Sequence, residues 1–350
     1  MAASLPADFL TRLPLAPDGY PQNLDLAREL ILFVELQAGD YRAASFLDDR
    51  ILMPATRGGW VPVRSAIDAS RQLARAVPLH FIFHTGHVGS TLVSRLLDET
   101  SRVLSLREPL PLRLLAEAHQ EIGRPWSLTA PERFAEILEL FLHLWSRGYS
   151  TTRAVVIKAT SSAGSLASLV LEKRPAARAI YLNVRAETYL ATLLSGANSP
   201  LDLRGHGPGR MKRLHARLGG ELRPLHALSM GELAAMSWLV ESLSERDAVS
   251  RCGERVLTID FDRFLDDVVV AMERITRHLG IEVEASYLAN IARSAVMTSY
   301  SKAPQMTYTP AHRRQQLSDA GRTHAAEIRR GMEWLAQMGG KEPAIAQLLV

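Results

Sequence analysis

The chain has 350 residues, 47% of them apolar and 22% charged, with a formal net charge of +4. That length suits one large domain or two ordinary ones, and the composition is that of a soluble globular protein. No apolar run approaches the ~18–20 residues of a membrane span, and the basic residues alternate with acids, which argues against a nucleic-acid surface.

The first twenty residues, rich in proline and leucine, read as a lead-in without the basic start and apolar core of a signal peptide. LDLARELILFVELQAG (24–39) has a helical pattern, and FLDDRILMPATRGGWVPV (46–63) reads as two short strands around a Gly58–Gly59 turn. SAIDASRQLARA (65–76) predicts a short amphipathic helix. Strands and helices then alternate: strand 80–86, helix 89–100, strand 102–109, helix 111–120, and a strongly amphipathic helix over 131–148 capped by Thr129. RAVVIKAT (153–160) and ARAIYLNVR (177–185) are continuous apolar runs, as strands buried on both faces should be. A helix over 186–194 follows. RGHGPGRMKRLHARLGGELRP (204–224), rich in Gly, Arg and His, predicts a mobile loop. A long helix over 232–249, a last strand over 255–261 and a helix ending at Gly280 complete the pattern. The fold expected is α/β, a central parallel sheet flanked by helices in three layers like the P-loop NTPases, with a small N-terminal α+β extension. The division expected is an extension over 1–77, the main domain over 78–320 and a helical segment over 321–350. Cys252, the single cysteine, excludes an internal disulfide and suits a reducing cytoplasm.

The most informative stretch is HTGHVGST (84–91), between the first main-domain strand and its helix. Gly86 and Gly89 permit backbone conformations and close approaches that side chains would block. The amides of residues 87–91, at a helix N-terminus, can then converge on one anion, with Ser90 and Thr91 adding hydroxyl donors. An ATP-type loop would continue G-K-[ST], with lysine on the outer phosphates; here Gly89 runs directly into Ser90 and Thr91. His84 and His87 lack the carboxylates or cysteines that would complete a metal site, so none is expected.

Glycine followed by two hydroxyl residues resembles the loop of the sulfotransferase family, [KR]-S-G-[ST]-[ST], and the resemblance extends over about residues 78–320. It implies an enzyme using 3′-phosphoadenosine 5′-phosphosulfate as co-substrate, without metal. The loop, Gly86, His87, Val88, Gly89, Ser90 and Thr91, would then grip the 5′-phosphate. LREP (106–109) resembles the segment carrying the catalytic base, which makes Glu108 that base; it lies nineteen residues after Gly89, as in the tyrosylprotein members. VVIKAT resembles the strand whose terminal lysine approaches the sulfonate, here Lys158. AIYLNVRAETYLATLLS resembles the 3′-phosphate segment, with Arg185 as its arginine and Thr192 or Ser195 near the family's serine. TSYSKAPQMTYTPAHRR supplies Lys302 and Arg313 or Arg314 for a C-terminal loop closing over phosphate. At the family's [KR] position stands His87, which as a histidine can donate to the bridging oxygen or act as a general acid. The resemblance implies sulfuryl transfer to a hydroxyl or amine of a small-molecule, lipid or glycan acceptor, in a cytoplasmic, bacterial-type protein; a homo-oligomer is admitted. The alternatives are a P-loop small-molecule kinase using ATP, with Asp260 and Asp262 as magnesium carboxylates, or a degenerate nucleotide-binding or interaction protein in which His87 marks lost catalysis.

Overall fold

The computed structural model describes residues 5–71 and 76–349. Its centre is a five-stranded parallel sheet: β4 (Leu79–His84), β5 (Val103–Arg107), β6 (Ala154–Lys158), β7 (Ala179–Asn183) and β8 (Val256–Asp260), in the spatial order β5-β6-β4-β7-β8. All five strands run the same way, and β4 and β6 are buried along their whole length. Alternate side chains of β4 therefore serve two cores. Phe81 and Phe83 pack with the helices Leu110–His119 and Pro131–Trp145 on one face; Ile82 packs with the helices Ser90–Glu99, Ala186–Leu194 and Met230–Cys252 on the other. The α/β three-layer expectation holds. The five strands of this sheet fall where strands were expected.

The N-terminal residues differ. In place of a helix over 24–39, β1 (Gly19–Asp25) and β2 (Leu30–Glu35) form an antiparallel hairpin, joined on its far side by β3 (Gly58–Pro62). Ile31 to Val34 are buried between two paired neighbours, an environment that suits a β-branched and aromatic run better than a helix does. Glu29 turns the chain with a left-handed φ of 52°. Gly58 and Gly59 are not a turn: they pair with Val34 and Phe33 inside β3, and residues 49–51 form a 3₁₀ turn where a second strand was expected. The short helix runs Val63–Ser70; residues 72–75 of its predicted span lie outside those described.

Two other readings need correction. Thr129 does not cap the helix Pro131–Trp145, which starts after Ala130; Pro131 at its first position has no N–H to be capped. The predicted mobile loop over 204–224 is mostly helix, Ser199–Gly205 and Gly207–Leu218. Pro208 occupies a first-turn position, and Leu214 is buried with Met211 and Leu218 packed beside it, an apolar stripe that the glycines mask in the sequence. The C-terminal stretch forms a small hairpin, β9 (Ser299–Tyr300) and β10 (Ala303–Thr307), then the helices Pro310–Thr323 and Ala325–Lys341, the latter lying along Met230–Cys252.

Buried arginines fasten the N-terminal residues to the main sheet. Arg147 donates to the carbonyls of Leu13 (2.6 Å), Ala16 (2.9 Å) and Gly19 (2.8 Å). Arg107, fully buried, pairs with Asp98 and donates to the carbonyls of Ala44 (2.7 Å), Tyr41 and Arg42. Replacing Arg147 with methionine keeps much of the volume but orphans three carbonyls, at about 1 kcal/mol or more for each one left dry. The expected outcome is a loss of roughly 3 kcal/mol in urea unfolding; a variant as stable as the wild type would show that these bonds are not needed.

Candidate active site

Strand order decides which functional side chains meet. Because β4 lies between β6 and β7, the residues just past the carboxyl ends of four adjacent strands stand in a row: Glu108 after β5, Lys158 closing β6, the glycine loop after β4, and Arg185 after β7. Ligands of open parallel sheets bind beyond this edge.

The loop is held in an unusual backbone. Gly86, His87 and Gly89 all have positive φ (102°, 53° and 69°), and Gly89 ends the loop as the left-handed residue before the helix Ser90–Glu99. A Cβ on Gly89 would stand 2.0 Å from the ring of Phe261, so glycine is required there by both space and conformation. The hydroxyl of Tyr189 lies 3.2 Å from where a Cβ on Gly86 would be. His84 braces the turn: its Nδ1 accepts from the Gly86 amide (3.0 Å) and its Nε2 faces the Ala159 carbonyl (2.9 Å). Those two partners require Nε2 to carry the proton and the ring to be neutral, and burial, then the charge of Lys158, holds its pKa well below the ordinary value. Ser90 and Thr91 are buried in the first helical turn, and Thr91 Oγ1 has no hydrogen-bond partner within the chain. A buried, unpartnered hydroxyl in the first turn of a helix that follows a glycine loop fits an oxyanion.

Beside the loop, Lys158 Nζ and Glu108 Oε1 form an ion pair, with the lysine buried and the carboxylate half-buried. Burial depresses the lysine's pKa, opposed by Glu108 and reinforced by Lys302. Glu108 itself takes φ 53° while its amide donates to the Lys158 carbonyl at 2.6 Å. Arg107 pairs with Asp98, so it is not the partner of Glu108. The ring of Phe46, from the N-terminal residues, is 5.9 Å from Lys158 Nζ and carries the Arg50 guanidinium at 3.4 Å. Arg95, from the helix that follows the loop, donates to Ser45 Oγ and to the Ser301 carbonyl, both at 2.8 Å, and so ties Phe46 and Lys302 to one helix.

His87 is exposed at the mouth of the cleft yet ringed by protein. That surrounding protein, then Lys302, with Arg210 and Lys158 adding to it against Asp202, pushes the imidazole down to about 4. His87 is therefore neutral at pH 7 and is no replacement for a charged loop residue.

The remaining candidates divide. Arg185 is exposed and has no ion-pair partner among the described residues. Lys302 lies in the β9–β10 turn, where its charge is felt by His84, His87 and Lys158. The hydroxyl of Thr192 donates to the Thr188 carbonyl (2.7 Å), and that of Ser195 donates to Thr192 (2.9 Å) and accepts from Gln316 (3.1 Å). Arg313 is buried against Asp262 (2.9 Å) and 5.1 Å from the Phe261 ring. Asp260 caps the helix Phe261–Asp266 through the Arg263 amide. Among the described residues no group of three or more His, Cys, Asp or Glu could hold a metal. A cleft of about 880 Å³ between the helices Gly207–Leu218 and Met230–Cys252 is lined by none of these residues. Sequence reasoning missed Phe46, Arg95 and Arg210, none of which carries a motif.

No protein-family model and no curated protein matches the chain. Solved structures do align with it. A mouse sulfotransferase complexed with PAP is 15% identical over 81% of this chain and 92% of its own, with a TM-score of 0.42. A sulfotransferase from Mycobacterium avium is 14% identical over 92% and 97%, with a TM-score of 0.40. The sulfotransferase domain of the curacin biosynthetic pathway is 16% identical over 75% and 99%, with a TM-score of 0.38. Similarities of this size leave the site to be read from its own residues.

Buried neutral histidines give a pH signature. His80, pushed down to about 4 by burial, and His84 cannot take up the protons that their unfolded counterparts bind below pH 6.5. Stability is therefore expected to fall as pH drops from about 6.5 towards 4, by about 1.4 kcal/mol per pH unit for each group. Thermal melts across that range check it; a His84→Gln variant whose pH slope matches the wild type would remove His84 from the account.

Proposed function

We propose that the protein is a sulfotransferase that moves a sulfuryl group from 3′-phosphoadenosine 5′-phosphosulfate to a hydroxyl or amine of a small-molecule, lipid or glycan acceptor. The observation that carries the reading is the row formed by Glu108, Lys158, the glycine loop and Arg185 on four adjacent strands. It offers a base, a cation and an oxyanion cradle side by side, with a free arginine beyond the loop. A magnesium-dependent kinase is less well supported, since Asp260 is spent as a helix cap and Asp262 on Arg313. A cytoplasmic setting suits the lone buried Cys252.

In this reading Glu108 takes the proton of the acceptor O–H or N–H while the acceptor's lone pair forms the new bond to sulfur. The bond from sulfur to the bridging oxygen breaks, and its electron pair stays with the leaving phosphate. The loop amides, Ser90 and Thr91 face the charge that develops there, in a site already organised to receive it. Lys158 exchanges Glu108 for the sulfonate oxygens, which frees the carboxylate to act as base. Arg185 serves the 3′-phosphate, and Lys302 closes over the nucleotide from the β9–β10 turn. Phe46 walls the acceptor side.

Calorimetry with adenosine 3′,5′-bisphosphate and with ATP, each with and without magnesium, tests the reading. Metal-free binding of the bisphosphate is expected, weakened about tenfold or more in Arg185→Ala, since charge-assisted pairs contribute about 1.5–3 kcal/mol. A preference for ATP with magnesium overturns it. Glu108→Gln is expected to keep the bisphosphate affinity and to lower turnover by about 10²-fold or more with any acceptor the wild type accepts. Turnover near that of the wild type would remove Glu108 as base.

A further inference from the structure

The loop lacks a fixed charge of its own, and His87 does not supply one. One buried cation close to it has no assigned role. Arg210, on the helix Gly207–Leu218, is 6% exposed, yet its Nε and Nη1 are buried without any hydrogen-bond partner, and its nearest carboxylate, Asp202, is 3.6 Å from Nη2. Nearly every other buried guanidinium here is satisfied: Arg107 and Arg147 grip carbonyls, and Arg213 is bidentate on Glu241 at 3.0 Å. Leaving two charged donors dry is costly, which marks Arg210 for a ligand rather than for the fold.

Helix packing points Arg210 at the loop. The helices Gly207–Leu218 and Met230–Cys252 run side by side in the same direction, with Arg213 on Glu241 and Ser244 and Arg217 on Asp247. One turn before Arg213 brings Arg210 level with Ser237. Ser237 Oγ is 2.8 Å from the Tyr189 hydroxyl, which is itself the atom that faces Gly86. The charge of Arg210 is also felt at both Tyr189 and His87, the residues on either side of Gly86.

We propose that Arg210 is the cation of the glycine loop, reaching from a neighbouring helix to bind, through Nε and Nη1, the phosphate or sulfonate oxygens held by the loop amides. A lysine or arginine within the loop is then unnecessary. The inference rests on the reading of the loop as an oxyanion site, but not on the identity of the nucleotide.

The test is calorimetry with adenosine 3′,5′-bisphosphate, adenosine 3′-monophosphate and inorganic pyrophosphate on wild type, Arg210→Met, Arg210→Lys and Asp202→Asn, each with a thermal melt. Arg210→Met is expected to weaken the bisphosphate and pyrophosphate about tenfold or more and the 3′-monophosphate little, with Arg210→Lys between, since lysine keeps the charge without the fork. Removing an unsatisfied buried charge should leave the melting temperature equal or higher. Asp202→Asn should bind both loop ligands at least as tightly as the wild type, because it releases Arg210 from a competing carboxylate. A folded Arg210→Met that binds like the wild type overturns the inference, as does equal loss in Arg210→Met and Asp202→Asn, the mark of a structural pair. If the wild type binds pyrophosphate through Arg210 but neither adenosine ligand, the inference stands and the sulfonate-donor reading falls. If it binds none of the three, both fall.

Discussion

A lysine ammonium cannot be kept charged in a protein interior without a partner, and Lys158 closes β6 wholly buried. Its partner must come from the neighbouring strand, and the register of β5 on β6 sets Arg107 opposite Lys158. Arg107 is taken up by Asp98 and three backbone carbonyls, so the residue after it has to turn to the lysine. Glu108 does so by adopting a left-handed φ and donating its amide to the Lys158 carbonyl. Non-glycine residues pay for such a conformation, and they persist in it only where the surroundings enforce it. Here the ion pair enforces it. The pair contributes little net stability, because both charges lose water to make it. What it secures is position: a carboxylate and an ammonium side by side beyond the sheet edge, one strand from a glycine loop. An arriving anion offers Lys158 a second partner, so the same contact that fixes Glu108 at rest is the one whose exchange would free it.

Arginine does the fastening elsewhere. Arg107, Arg147 and Arg95 each bond two or more acceptors on segments distant in sequence, a task that a planar fork with five donors performs and a point charge does not. Arg107 and Arg95 bring residues 41–46 down onto the carboxyl edge of β5, where Phe46 meets Lys158, while Arg147 holds residues 13–19. The extension thus reaches the site through backbone carbonyls rather than through a motif, and nothing in the spacing of residues 1–77 announces it.

The strands β4, β6 and β7 were legible because each is a short apolar run buried on both faces, and the loop because Gly86 and Gly89 mark backbone of positive φ. The hairpin over 19–35 was not. A run such as LILFVEL satisfies helix and strand patterns alike, and the choice falls to β3, a partner more than twenty residues away. The helix Gly207–Leu218 was hidden by glycines and by Pro208, whose place in the first turn makes it a helix starter rather than a breaker. With that helix misread as a loop, Arg210 had no fixed place. Nor could spacing give the strand order, so the choice between Arg107 and Lys158 as the neighbour of Glu108 waited on the sheet.

Surrounding protein is the larger cause of the neutrality of His87, and the cations near the loop add to it. Lys302, Arg210 and Lys158 all act on it, and Asp202 alone among its nearest charges opposes them. A lysine at this position would add a further cation to an already positive cleft, with no carboxylate free to balance it. If Arg210 serves the loop as proposed, that charge stands on a flanking helix, and a neutral histidine within the loop is compatible with it.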